Sequence, residues 1–235
     1  MNLIPNFFWK KKSSSFEKIS YAQCGEGLIV DFLFSWLGSS EINYLDIGAH
    51  HPSHFSNTFF FYKKGMNGVL VEADISLCKE LKETRPLDLV LNLAVSPCGE
   101  GEIPLYIMSS TTLNTLNHHK AQEIENAGRH KIESIAKVQQ VKVMSIVNQY
   151  FSDRQLSLVS LDIEGLDFDV LKTWDFSKSR PAVFCLETLT YTENNTEEKI
   201  SEIIDFMISN NYLIYADTYI NTIFVCRHIW GKRSF

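Results

Sequence analysis

Tyr44-Leu45-Asp46-Ile47-Gly48-Ala49-His50-His51-Pro52 is the stretch whose reading decides the fold. An apolar run ends in an acid, then Gly, then a polar turn. A second apolar run, Gly68-Val69-Leu70-Val71-Glu72-Ala73-Asp74, lies one helix further on and also ends in an acid. Paired strand ends of this kind bind nucleotide-like cofactors in α/β proteins. The glycine lets the backbone approach the ligand, and the acid of the next strand accepts hydrogen bonds from ribose hydroxyls. The first turn is not Gly-x-Gly-x-x-Gly. No glycine follows Gly48 before Gly65, and the turn holds no lysine or arginine to neutralise a pyrophosphate. Two acids without a phosphate cradle suit S-adenosylmethionine better than NAD or ATP. Asp46 would face its cationic end and Glu72 its ribose.

Working outward, apolar runs recur with helical segments between them. Strands are expected at about 42–47, 68–73, 88–95, 156–163 and 182–186. Their runs are continuously apolar, as in parallel strands covered on both faces. Helices are expected at 20–37, 55–64, 75–83, 145–151, 167–173 and 197–209, the last with Ile200, Ile203, Ile204 and Met207 on one face. Tyr212 to Ala216 and Thr222 to Arg227 read as a closing antiparallel hairpin. Residues 96–137 break the rhythm. They are expected to hold a hairpin at 99–107 and a charged helix at 119–134, as an insertion over the cofactor site, with a short strand at 141–143. The predicted organisation is an N-terminal arm, 1–19, and one domain, 20–235.

Composition narrows the function. A chain of 235 residues with 45 % hydrophobic content buries a sizeable core. The net charge of −6 argues against broad nucleic-acid binding. Five scattered cysteines without Cys-x-x-Cys argue against a disulfide framework or a zinc site, and fit a reduced cytosol. No apolar stretch is long enough to span a membrane. The aromatics Phe7, Phe8 and Trp9 precede Lys10-Lys11-Lys12, so residues 1–12 are a candidate for weak contact with an anionic inner membrane face, although Pro5 interrupts an amphipathic helix.

Candidate site residues cluster at strand ends. Gln23 and Glu26 open the first helix and can reach the cofactor's amino-acid end. Gly48, Ala49 and His50 form the first turn. Ala73 follows Glu72, while Asn92 and Ala94 end the third strand, where an adenine ring would lie. Asp162 and Glu164 share one side by period-two alternation. They can hold the cofactor's ammonium, bind a divalent cation such as magnesium, or take a proton from an acceptor hydroxyl. Glu187 can join Asp162 as a metal ligand. His51 is the favoured proton acceptor, because its reference pKa lies near neutrality. His50 and His54 have zinc-like spacing, but Pro52 sits between them.

Ser20-Tyr21-Ala22-Gln23-Cys24-Gly25-Glu26, Leu45 to Pro52, Ser56-Asn57-Thr58, Val71-Glu72-Ala73-Asp74, Asn92 to Ser96 and Asp162-Ile163-Glu164-Gly165 together resemble the FkbM family of S-adenosylmethionine-dependent methyltransferases. The resemblance runs from about Ser20 to Arg227. It implies the class I methyltransferase fold: a Rossmann-like, mostly parallel seven-stranded sheet with an antiparallel last strand and helices on both faces. It also implies methyl transfer to an oxygen, often a sugar hydroxyl in a glycan, glycolipid or natural product. The family's usual Asn-x-Gly after Gly-Ala is replaced by His50-His51-Pro52, and Gly27 stands where the family often has Asp. Alternatives are N-methylation of an amino sugar or small amine, a non-catalytic cofactor-binding partner, and a Rossmann dehydrogenase.

Overall fold

A computed structural model describes residues 16–190, 192 and 196–232. The expected membrane segment, residues 1–12, lies outside the described residues.

The chain runs α1 (Glu26–Trp36), β1 (Tyr44–Ile47), α2 (Phe59–Lys63), β2 (Gly68–Glu72), α3 (Ile75–Thr84), β3 (Leu89–Asn92), β4 (Ala94–Val95), β5 (Glu102–Met108), α4 (His118–Ala127), β6 (Ile132–Val141), α5 (Val143–Tyr150), β7 (Leu158–Leu161), α6 (Asp167–Lys172), β8 (Val183–Glu187), α7 (Ser201–Ser209), β9 (Tyr212–Asp217), β10 (Asn221–Cys226) and α8 (Arg227–Trp230). The main sheet has seven strands in the order β3-β2-β1-β7-β8-β10-β9. β10 is antiparallel to both of its neighbours. The pairings from β3 through β8 are all parallel. This is the class I methyltransferase topology expected from the sequence.

Alternation along the short strands divides the core. Leu45, Val71, Val159 and Phe184 face one layer with Val147 of α5, Leu171 of α6 and Met207 of α7. Tyr44, Leu70, Leu158 and Cys185 face the other with Leu33 of α1, Phe61 of α2 and Leu81 of α3. Burial on both faces is why these strands lack a polar side. All five cysteines are free, and Cys78, Cys185 and Cys226 are buried. Among the described residues, no helix is long and apolar enough to cross a membrane.

Several boundaries differ from expectation. The run 88–95 is two strands: β3 stays in the main sheet, and β4 pairs with β6 in a separate three-stranded sheet, order β4-β6-β5. Asn92 causes the break, because its Nδ2 donates to the carbonyls of Glu72 (3.1 Å) and Ala73 (2.8 Å) and pins the chain at the sheet's end. The hairpin expected at 99–107 is instead the single strand β5, paired with β6 from far along the chain. The expected helix at 119–134 stops at Ala127, where Gly128 takes a left-handed C-cap, φ 91°. Of the strand expected at 141–143, only Val141 is extended in β6; Lys142 caps α5 and Val143 opens it. α1 begins only at Glu26, because Gly25 is left-handed, φ 93°. The helix expected at 55–64 shrinks to α2, because Phe55 is left-handed, φ 58°.

Candidate active site

The C-terminal ends of β1, β2 and β7 converge on one cavity, roofed by the segment after β5. Gln23, Asp46, Gly48, Ala49, His50, Glu72, Ala73, Ala94, Asp162 and Glu164 all line it. Glu26, His51, Asn92 and Glu187 are not among its lining residues.

Gly48 shows why the first turn is built as it is. Its φ is 81°, and an added Cβ would lie 1.7 Å from the Asp162 carbonyl oxygen. β1 and β7 therefore meet at their ends only because residue 48 has no side chain. Past it, His50 takes φ 47° and donates its backbone N–H to Glu72 Oε2 at 2.8 Å. Glu72 Oε1 accepts from Asp74 N at 2.8 Å. The carboxylate of Glu72 thus ties the first turn to the end of β2. Burial raises its pKa to about 7, against the lowering effect of those backbone donors.

Asp46 is held from behind. Its Oδ2 accepts from Thr58 Oγ1 at 2.5 Å. Thr58 Oγ1 in turn accepts from Arg85 Nη2 at 3.0 Å. Arg85 is fully buried, pairs with Asp88 at 2.7 Å, and also reaches Ser56 Oγ and Tyr44 Oη. Asn57 Nδ2 donates to Ser160 Oγ, across from Asp46 on the paired strand. Ser56-Asn57-Thr58 is therefore a brace that fixes the floor of the cavity. Burial still raises the pKa of Asp46, although Arg85 pulls it down.

The acidic end lies after β7. Asp167, at the start of α6, accepts from Ile163 N (2.9 Å) and Gly165 N (3.1 Å). That grip holds Glu164 at φ 52° and Gly165 at φ 104°. Burial first, then the negative charge of Asp167, raises Asp162 to about 7. Glu187 stands close enough to Asp162 to interact with it, and burial and the charge of Asp162 push its carboxyl well above the usual carboxylate range. Burial and Asp162 likewise push Glu164 well up. Among the described residues, no group of three or more His, Cys, Asp or Glu side chains is arranged to hold a metal ion. The option of a divalent cation at Asp162 and Glu187 therefore finds no support in the geometry.

His51 does not aim into the cavity. Its Nδ1 accepts from the backbone N–H groups of Ser53 (3.2 Å) and His54 (2.9 Å), so the ring closes a turn. Glu26, expected on the cofactor, is buried elsewhere. It accepts from Thr218 Oγ1 (2.7 Å), Asn221 Nδ2 (3.0 Å) and Cys24 N (2.9 Å), locking α1 to the closing hairpin. Asn92 acts on the backbone of β2, as described above.

The roof held the residues hardest to foresee. Thr111, Thr112, Asn114 and Leu116 line the cavity. Thr111 Oγ1 meets His50 Nε2 at 3.1 Å, Asn114 Nδ2 donates to Asp74 at 3.2 Å, and Thr115 Oγ1 donates to the Glu164 carbonyl at 2.9 Å. The insertion thus touches the ends of β1, β2 and β7 together. The sequence places this insertion over the site by its break in rhythm, but marks its lining residues only by the polar run Ser109 to Asn114. Nothing in it marks Arg85 or Asp167.

Solved structures with a similar arrangement include a TehB-like SAM-dependent methyltransferase from Corynebacterium glutamicum, 8 % identical, with 90 % of each chain covered and a TM-score of 0.43. Another is an O-methyltransferase from Bacillus cereus in complex with SAH, 14 % identical, with 88 % of this chain and 81 % of that one covered and a TM-score of 0.41. Comparison with curated proteins gives no match. The profile of the Methyltransferase FkbM domain matches residues 46–214, from the acid that ends β1 to within β9. It takes in every wall of the cavity except Gln23, and the chain belongs to the FkbM family of methyltransferases.

Proposed function

We propose that this chain transfers the methyl group of S-adenosylmethionine to a hydroxyl of a sugar-containing acceptor. The observation that carries the reading is the change of character along one cavity. At one end Leu77, Leu93, Ala94 and Leu105 make an apolar slot beside the Glu72 carboxylate. At the other stand Asp162 and Glu164. An apolar slot suits a purine, a buried carboxylate suits ribose hydroxyls, and a pair of buried carboxyls suits an ammonium and a sulfonium, whose positive charge favours their ionised forms.

The bound cofactor supplies an electrophilic methyl on a sulfonium. The chain's residues then have two tasks. They align the acceptor oxygen with that methyl, and they accept the hydroxyl proton as the carbon–oxygen bond forms and the carbon–sulfur bond breaks. Since His51 is committed to its turn, the proton acceptor is assigned to the Asp162–Glu164 pair. Asp162, whose carboxyl burial lifts to about 7, is well matched to that work at neutral pH, with Glu164 beside it.

The test measures cofactor binding by calorimetry and S-adenosylhomocysteine release with glycan and glycolipid acceptors. The reading expects binding, turnover, and a loss of about 10²–10⁴-fold in turnover in Glu164→Gln or Asp162→Asn. Binding without turnover on any acceptor would favour a non-catalytic partner. Full turnover with Glu164→Gln and Asp162→Asn combined would favour an amine, which needs no strong base.

A further inference from the structure

Among the described residues, five that are not glycine take positive φ, and three of them line the cavity: His50 at 47°, Phe55 at 58° and Glu164 at 52°. His50 and Glu164 have evident reasons, since their turns are held by Glu72 and Asp167. Phe55 has none of that kind. A bulky residue in the left-handed region is an outlier, and such strain gathers at ligand sites. Glycine would fit there without strain. The ring is not filling the core either, because Phe55 is 46 % exposed. Instead it lies against the His54 ring, centroids 3.8 Å apart and planes at 28°. His54 is itself set edge-on to His51, the ring that closes the turn. A strained, half-exposed phenyl at the cavity wall is thus backed by a second ring whose backbone N–H is tied down.

We propose that Phe55, backed by His54, is the platform on which a pyranose ring of the acceptor stacks. The proposal rests on the methyl-transfer reading of the cavity. The chemistry that matches is a ring with hydroxyls at its rim and polarised C–H groups on one face. Those hydrogens meet the negative face of an aromatic quadrupole, while the hydroxyls stay in water or reach polar walls. Asn57, Thr111 and Thr112 provide such walls in the same cavity. An open-chain polyol has no apolar face to offer and gains nothing from the ring.

The experiment uses the full chain with S-adenosylhomocysteine, and follows saturation transfer by NMR to methyl β-glucopyranoside, methyl α-mannopyranoside and methyl α-rhamnopyranoside, with glycerol as control. Phe55→Gly removes the ring while relieving the backbone, so its fold is not at risk from strain, and melting temperature checks this. Phe55→Trp keeps a platform. The expected result is transfer to at least one pyranoside in wild type and in Phe55→Trp, a fall of at least about fivefold in Phe55→Gly, none to glycerol, and S-adenosylhomocysteine affinity within about threefold throughout. Equal transfer in Phe55→Gly overturns the proposal. So does a loss of cofactor affinity confined to that variant, which would put the ring against the cofactor. Absence of transfer to every pyranoside while S-adenosylhomocysteine binds refutes the platform alone. Failure of wild type to bind S-adenosylhomocysteine refutes the methyl-transfer reading and the platform with it.

Discussion

Glu72 should make cofactor binding pH-dependent, and the size follows from its surroundings. Burial holds its carboxyl at about 7 in the free protein, against an ordinary value of 4.5. In the proposed site, ribose hydroxyls would donate to the ionised form, so binding should favour the carboxylate and expel the proton. At pH 5.5 a group titrating at about 7 is ionised in roughly 3 % of molecules, and at pH 8 in roughly 90 %. If binding returns the group to its ordinary range, affinity for S-adenosylhomocysteine should fall about thirtyfold from pH 8 to pH 5.5. Calorimetry in two buffers of different ionisation heat should detect about half a proton released at pH 7. Glu72→Gln should flatten the profile and weaken binding at pH 8 by about 1.5–3 kcal/mol, the worth of a hydrogen bond to a charged group. Asp162 also titrates near 7, so Asp162→Asn is the control and should leave most of the Glu72 slope. The same shift bears on stability with the opposite dependence. Because the folded pKa is raised, the folded state holds a proton that the unfolded chain releases between pH 4.5 and 7. Stability of the free protein therefore falls through that window, by about 3 kcal/mol for this group, and the loss is complete above it. A flat affinity between pH 5.5 and 8, or a slope that persists in Glu72→Gln, would refute the assignment.

Three further outcomes are expected. His51→Ala should keep turnover within about threefold, under ~0.7 kcal/mol in barrier, while losing about 1 kcal/mol of stability with the two turn hydrogen bonds; a hundredfold loss of turnover would restore the histidine as base. Gly48→Ala should destabilise the fold by more than about 3 kcal/mol or prevent folding, since its methyl would overlap the Asp162 carbonyl at a left-handed φ; a wild-type melting temperature would show that β1 and β7 can part. Thr58→Val keeps the shape but leaves Asp46 and Arg85 each one partner short in a buried site, so urea denaturation should report a loss of about 2–4 kcal/mol, and an unchanged midpoint would mean that water replaces the hydroxyl.

What could be read from the chain, and what could not, divides along a physical line. The main strands are short, apolar on both faces and paired mostly with neighbours one helix away, so local composition identifies them, and the acids at their ends mark the cavity. β6 carries no such mark. It is mostly exposed along Ile132–Val141 and pairs with β5, some thirty residues earlier, so neither alternation nor a nearby turn announces it. The direction of a side chain is a still longer-range property. His51 has the right chemistry for a base, yet the backbone amides of Ser53 and His54 claim its Nδ1 once Pro52 bends the turn. Glu26 looks free for a ligand until the closing hairpin arrives from the far end of the chain to bond it. Arg85 sits unremarked before a proline, and only the fold brings Tyr44, Ser56, Thr58 and Asp88 around it. Phe55 follows the same logic. Its apolar character places it inside a helix by pattern, while its actual conformation depends on where the preceding histidine turn ends. Residue type therefore tells which groups are able to do chemistry here. Which of them face the cavity is decided by the competition between ligand and backbone for the same polar atoms, and that competition is settled only in the folded chain.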